Sequence, residues 1–168
     1  GLETYAGRYG ARAYQDAVEM IDKEDLDAIS ISTSPRYREP IITAAAQKGL
    51  PMFIEKPWAA DLAQAQHLAA VCKQYNAQVM VGFSFRFHPV VVRLRQLMDG
   101  ELGPGWMLNG QYVFSWLPPA SHWLWDPQNG NGFFNENSCH LFDVVCSLMG
   151  EPTPLTAEGI NPFGSTLE

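Results

Sequence analysis

The residues that could do chemistry stand where short apolar runs end. Met52-Phe53-Ile54 leads straight into Glu55-Lys56-Pro57, so a segment patterned like a buried strand delivers a carboxylate, an ammonium and a proline. Proline fixes its own φ and biases the residue before it toward extended geometry. A lysine held at the carboxyl end of a strand sits where open α/β sheets place their ligands. Taken alone, a Glu-Lys-Pro triplet is equally consistent with a solvated charge at a strand end. A second group follows downstream, where Glu136, His140, Asp143 and Ser147 recur at helical spacing. Polar helix faces usually meet water, and a solvated face is the default for this helix by itself. Against that, the stripe holds two acids and an imidazole and no lysine or arginine.

The elements that must position these residues alternate along the chain. Tyr5, Ala6 and Tyr9 before Gly10 predict the last turns of a helix closed by glycine. Ala11 to Tyr14 predicts a short, weak strand. Asp16-x-x-Glu19 has the form of a capping box for a helix through about Asp22, with Val18 and Ile21 inward. Asp27 to Thr33 alternates around Ile29 and Ile31 as a strand, Ser34-Pro35 breaks it, and Tyr37 to Lys48 follows as a helix ended by Gly49. Pro51 to Ile54 is the next strand. Asp61-x-x-Gln64 caps a helix carrying Leu62, Ala65, Leu68, Ala69, Cys72 and Tyr75 at helical spacing, and Gln78 to Val81 is one more strand.

Strands alternating with helices predict a parallel sheet with right-handed crossovers. Parallel strands end on one edge, which places Thr33-Ser34-Pro35, Glu55-Lys56-Pro57 and Gly82-Phe83-Ser84 side by side. Beyond Ser84 the pattern changes. Pro89 to Met98 predicts a helix with Val91, Leu94 and Met98 inward, and Trp106 to Trp116 a strand with one aromatic face. Pro118-Pro119 and Asn129 to Gly132 bracket a loop holding Trp123 and Trp125, either a cover for a ligand or a small satellite core. Phe133 to Met149 predicts a helix ended by Gly150, with Leu141, Val144, Val145 and Leu148 as its apolar stripe.

Composition excludes several classes. Hydrophobic residues make up 46% of 168, enough for a core, and charged residues 17%, too few for a disordered tail. A balance of 11 Lys+Arg against 18 Asp+Glu, without a polybasic run, argues against nucleic acid as a partner. No apolar run is long enough to span a bilayer. Cys72, Cys139 and Cys146 show no metal-binding spacing and predict reduced, buried thiols; no metal site is expected. The chain opens with Gly1 inside an apparent helix, so a piece of a longer, cytoplasmic protein is expected, with any export signal lying upstream.

Thr33-Ser34-Pro35, Glu55-Lys56-Pro57, Val81-Gly82-Phe83-Ser84-Phe85-Arg86-Phe87-His88-Pro89 and Gly132-x-x-x-Glu136-x-x-x-His140-x-x-Asp143 resemble, in order and spacing, the Gfo/Idh/MocA family, the glucose-fructose oxidoreductase and inositol dehydrogenase group. The resemblance covers roughly residues 1 to 160. It implies an α/β chain made of a partial Rossmann parallel sheet over residues 1–84 and, over 85–168, the start of an α+β substrate and oligomerisation domain with an open sheet. It implies NAD or NADP as cofactor, a sugar or polyol as substrate, and a homo-oligomer when full length. By the same resemblance Lys56 lies between nicotinamide and substrate, and His140 exchanges the proton. Imidazole suits that task near neutrality. Glu136, where most members have aspartate, would assist His140. Thr33, Ser34, Pro35, Arg38, Glu55, Lys56, Pro57 and Ser84 would contact the cofactor, and Arg86, Trp123 and His140 the substrate.

Departures from the family pattern fall at Arg38, where many members have histidine, at Ser84 in place of asparagine, and at Leu124 in place of arginine. The glycine-rich pyrophosphate turn of the family lies outside the sequence, and the 168-residue chain by itself is expected to be inactive. The expected function is hydride transfer between a nicotinamide cofactor and a hydroxyl or carbonyl of a sugar, cyclitol or related polyol. A non-catalytic dinucleotide- or sugar-sensing regulator of the same fold is the alternative.

Overall fold

Three short strands, β1 (Ile29–Ile31), β2 (Met52–Ile54) and β3 (Val79–Val81), form one parallel sheet in that order. The structure, a computed structural model, describes residues 1–113, 119, 121–126 and 132–159. Ile29 lies opposite Met52 and Met52 opposite Val79, while Ile31, Ile54 and Val81 form the parallel row. Side chains alternate across a strand, so these residues share one face. Ser30, Phe53 and Met80 share the other, which is exposed.

On the buried face pack α2 (Ala17–Lys23), α3 (Glu39–Gln47) and α4 (Leu62–Gln74), which contribute Ile21, Ile41, Ile42, Ala45, Ala46 and Leu68 to one core with the strands. Local chemistry sets their ends. The Asp16 carboxylate accepts from the Val18 and Glu19 N–H groups at 2.7 and 3.1 Å. Glu19 does not reach back to complete a capping box; it pairs with Lys23 one turn on. The Asp61 carboxylate accepts from the Gln64 N–H at 2.9 Å, and Gln64 accepts from the Ala60 N–H at 2.8 Å. Pro40 lies in the first turn of α3, where its missing N–H costs nothing. The helix expected from Tyr37 therefore divides into a 3-10 turn, Pro35–Tyr37, and α3 proper. Gly10 closes α1 (Leu2–Tyr9) at φ 63°, a conformation that favours glycine.

Beyond β3 come a 3-10 turn (Ser84–Phe87), α5 (Pro89–Asp99), a 3-10 turn (Trp123–Trp125) and α6 (Phe133–Met149). α6 packs against the Ser84–Phe87 turn, bringing the downstream half of the chain onto the carboxyl edge of the sheet.

Several expectations fail for identifiable reasons. Ala11 to Tyr14 is not a strand. A strand needs a neighbour for its ladder, and here Arg12 and Tyr14 instead converge on Glu24. Residues 106–113 are likewise in no strand, and 114–116 lie outside the described residues. Leu62, one of the residues at helical spacing in α4, is 73% exposed at the helix start, whereas Leu68 is fully buried. α5 buries no residue completely, with Val91 and Met98 half-buried and Leu94 exposed. The cysteines are free, as expected, but Cys146 is exposed and Cys72 and Cys139 are half-buried.

The contrast within α4 is testable in the full-length protein. Leu68→Ala should lower the unfolding free energy by about 2–5 kcal/mol in chemical denaturation, while Leu62→Ala should change it by under about 0.5 kcal/mol.

Candidate active site

The carboxyl edge of the sheet holds the chemistry. After β2 the Glu55 N–H donates to the Ile31 carbonyl at 2.9 Å, the last ladder bond, and after β3 the Gly82 N–H donates to the Ile54 carbonyl at 2.8 Å. A Cβ on Gly82 would meet the Phe53 ring at 3.2 Å, so the close approach of these two exits suits glycine. The segments after β1, β2 and β3 are adjacent, as the parallel topology requires.

From this edge Lys56 reaches across to α6. Its ammonium donates to the Glu136 carbonyl at 3.1 Å and forms a tight ion pair with Glu136 Oε1, both side chains being largely buried. Asn135, one residue earlier, donates to the carbonyls of Ala59 and Ala60 at 3.1 and 3.3 Å, fixing the first turn of α6 to the segment that follows Pro57.

One turn beyond Glu136, the His140 ring stacks on Phe85 with centroids 4.3 Å apart and 17° between planes, and meets Phe83 edge-on at 6.3 Å. Burial lowers the pKa of His140, and the charge of Lys56 lowers it further; the carboxylates of Glu55, Asp143 and Glu136 act in the opposite sense. The imidazole is therefore neutral near pH 7. Its Nδ1 is buried with no hydrogen-bond partner. A buried ring nitrogen left unpaired is costly and is met where a functional role compensates.

The solvated face expected for α6 is absent at its centre. Asp143 is 7% exposed and accepts a bidentate pair from Arg86, Nε at 2.7 and 2.9 Å and Nη2 at 2.6 Å. That pair raises the pKa of Arg86 and locks the Ser84–Phe87 turn, with Phe85, against the helix that carries His140. Arg86 thus commits Nε and Nη2 to a contact within the protein, an ion pair that the spacing of the residues does not announce.

Arg38 likewise makes contacts within the protein. It is 2% exposed, donating through Nε to the Thr33 carbonyl at 2.8 Å and through Nη1 to the carbonyls of Glu55 and Pro57. It lies beneath the loops and grips their backbone. Pro57 is also buried, and Ser84 stands exposed at the start of its 3-10 turn, outside the lining of the cavity described next.

A polar cavity of about 380 Å³ opens over Arg38, which shares its lining with Thr33, Ser34, Glu55, Lys56, Trp123 and Glu136. The structure thus brings together most of the residues expected around cofactor and substrate. Hydroxyls, two carboxylates and an ammonium together with an indole suit a hydroxylated ligand with an apolar face. A larger groove of about 500 Å³ runs behind it, past Trp58, Leu62, Phe83, Phe134 and Phe142. Its walls are mainly apolar, and of its two acids Asp143 is paired with Arg86 and Asp61 caps α4. The contacts of Asn135, Phe85 and Asp143 are missing from the sequence reading. The heptad-like spacing of Asp143 from Glu136 was the available signal; nothing in sequence pairs it with Arg86. Among the described residues no group of three or more His, Cys, Asp or Glu side chains is placed to hold a metal, and no helix is long and apolar enough to cross a membrane.

A parallel α/β sheet with a polar cavity at its carboxyl edge is the arrangement of doubly wound, Rossmann-like folds. Residues 2–83 match the family model described as an oxidoreductase family with an NAD-binding Rossmann fold, and residues 91–166 match the GFO/IDH/MocA C-terminal domain. The chain belongs to the Gfo/Idh/MocA oxidoreductase family. It is 30% identical over 152 residues to D-apiose dehydrogenase of Paraburkholderia graminis, covering 87% of this chain and 39% of that protein. It is 30% identical over 158 residues to inositol 2-dehydrogenase of Rhizobium meliloti, covering 92% of this chain and 46% of that one. The chain therefore spans less than half the length of these relatives. Among solved structures, the aldose-aldose oxidoreductase of Caulobacter crescentus in complex with glycerol shares the fold with a TM-score of 0.69 at 24% identity, over 89% of this chain and 47% of that one.

Breaking the Arg86–Asp143 pair should be costly. Arg86→Met in the full-length protein is expected to lower stability by about 1–3 kcal/mol, less than for a fully buried pair because Arg86 is half in water. Denaturant titration of Arg86→Met and Asp143→Asn checks this, and a change within experimental error in both would mean the pair contributes no net stability.

Proposed function

We propose that the protein transfers hydride between a nicotinamide dinucleotide, NAD or NADP, and a hydroxyl or carbonyl carbon of a sugar, cyclitol or related polyol. The observation that carries this reading is Lys56, paired with Glu136 in the lining of the polar cavity, with a neutral His140 one turn beyond Glu136 and near enough to feel the Lys56 charge. The names of the relatives, a D-apiose dehydrogenase and an inositol 2-dehydrogenase, support the substrate class. We assign dinucleotide binding to residues 1–84 and substrate binding to 85–168, with the cavity between them and a homo-oligomer as the full-length form.

The residues present fit a nicotinamide riboside: Glu55 has a carboxylate for ribose hydroxyls, and Thr33 and Ser34 add hydroxyl groups on the same wall. When bound, the dinucleotide supplies hydride acceptance and donation. The protein's part is positioning and proton transfer. Lys56 donates to the substrate oxygen and stabilises negative charge developing there. His140, held neutral by burial and by Lys56, takes the hydroxyl proton in oxidation and returns it in reduction. Glu136 holds the Lys56 ammonium in place and keeps the site's net charge low as His140 becomes protonated. Trp123 offers an apolar face to the C–H side of the substrate.

A non-catalytic sensor would need the cavity but no acid/base pair. Lys56→Ala in the full-length protein separates the readings: kcat should fall by about 100-fold or more while the dinucleotide Kd stays within about threefold. Equal loss of both would make Lys56 a binding residue, and no loss would sink the catalytic assignment.

The pH dependence follows from the direction of the His140 shift. Oxidation needs neutral imidazole, so kcat/KM for oxidation should be lost as pH falls through a midpoint below the ordinary value of about 6.5. Reduction, which needs the imidazolium, should decline as pH rises through that midpoint. Because the Lys56 charge contributes to the lowering, the His140 ring titrated by NMR in Lys56→Ala should show a higher midpoint than in the parent.

A further inference from the structure

We propose that Arg38 is the positioning residue for Lys56, a buried clamp that fixes the main chain on both sides of it. The inference rests on the reading of Lys56 given above. Residues 55–57 leave the sheet just where its ladder stops: the Glu55 N–H makes the last strand-type bond, to Ile31, and Pro57 has no N–H to give. A side chain that must aim its ammonium across the sheet edge at Glu136 is thus rooted in backbone that the sheet no longer holds.

Arg38 supplies the missing restraint. Its Nη1 donates to the carbonyls of Glu55 and of Pro57, the two residues flanking Lys56, and its Nε donates to the Thr33 carbonyl at 2.8 Å. One planar group therefore ties the exit of β2 to the exit of β1. Guanidinium suits this task because its donors are fixed in a rigid fork and it is weakly hydrated for a cation. An ammonium has no such fork with which to span the three carbonyls. The charge is 2% exposed, with the carboxylates of Glu55 and Glu136 close enough to offset part of its burial. A buried charge is a poor way to stabilise a fold, since apolar packing of similar volume often does as well. Its position around Lys56 gives it a different use.

Arg38→Met would leave three carbonyls without donors, so the informative variant is Arg38→Lys, which keeps the charge and loses the fork; Arg38→Gln, which keeps two N–H donors without the charge, is the second. Lys56 is shielded by its ion pair with Glu136, whereas Lys73 is exposed and serves as an internal reference. Trace acylation of the full-length protein, read by mass spectrometry, should show the Lys56 to Lys73 reactivity ratio rising by about fivefold or more in either variant. In parallel, Arg38→Lys should lower kcat by about 10- to 100-fold with the dinucleotide Kd within about threefold. In a Lys56→Ala background the same substitution should cost less than about twofold, because its effect passes through Lys56.

An unchanged acylation ratio in folded Arg38→Lys and Arg38→Gln overturns the proposal. So does a kcat loss of equal size in both backgrounds, which marks a merely structural role, or a loss confined to dinucleotide affinity, which marks a cofactor contact. If Lys56→Ala leaves turnover intact, the functional reading falls, while the acylation ratio still decides the clamp.

Discussion

Lys56 and Glu136 are eighty residues apart, and their contact joins the two halves of the site. The parallel sheet brings Glu55 and Lys56 to the carboxyl edge, but neither the imidazole nor the acid that pairs with the lysine comes from the sheet. These come from α6, and an ion pair between largely buried side chains is the direct link between that helix and the lysine. Partial burial strengthens such a pair because water screens it poorly, and it also makes the loss of either partner costly. Asn135 on the preceding residue and the Arg86–Asp143 pair two turns on hold α6 at other points, so Glu136 and His140 are fixed along a rigid rod.

Electrostatics then follow from packing. His140 has carboxylates within reach that favour its protonation, yet its pKa is lowered, because desolvation beside Phe83 and Phe85 and the Lys56 ammonium outweigh them. Glu136 belongs to both sides of this balance: it neutralises the lysine and favours the imidazolium. A carboxylate in that position lets the site accept a proton on His140 without accumulating two uncompensated positive charges.

Much of this was legible in the sequence, where local chemistry decided the outcome. Asp16, Asp61, Gly10, Gly49 and Gly150 mark helix ends, and the alternation around Ile29, Ile31 and Ile54 marks strands whose inward residues are buried. Parallel topology then dictated which loops meet, and α6 runs between the predicted ends. Illegible were features set by a distant partner. Ala11 to Tyr14 and residues 106–113 have strand-like composition but no ladder among the described residues, and composition cannot supply one.

Arginine shows the same limit more sharply. Arg38 and Arg86 both hold on to the protein itself, one gripping three carbonyls and the other a buried carboxylate. Sequence gives the charge of an arginine and its place on an element, but not which acceptors converge on it. Here those acceptors are created by the tertiary fold: carbonyls freed where the strands end, and an aspartate on a helix arriving from downstream. The two arginines thus act on the protein itself before any ligand binds, Arg38 from within the lining of the cavity and Arg86 on the helix that carries Glu136 and His140.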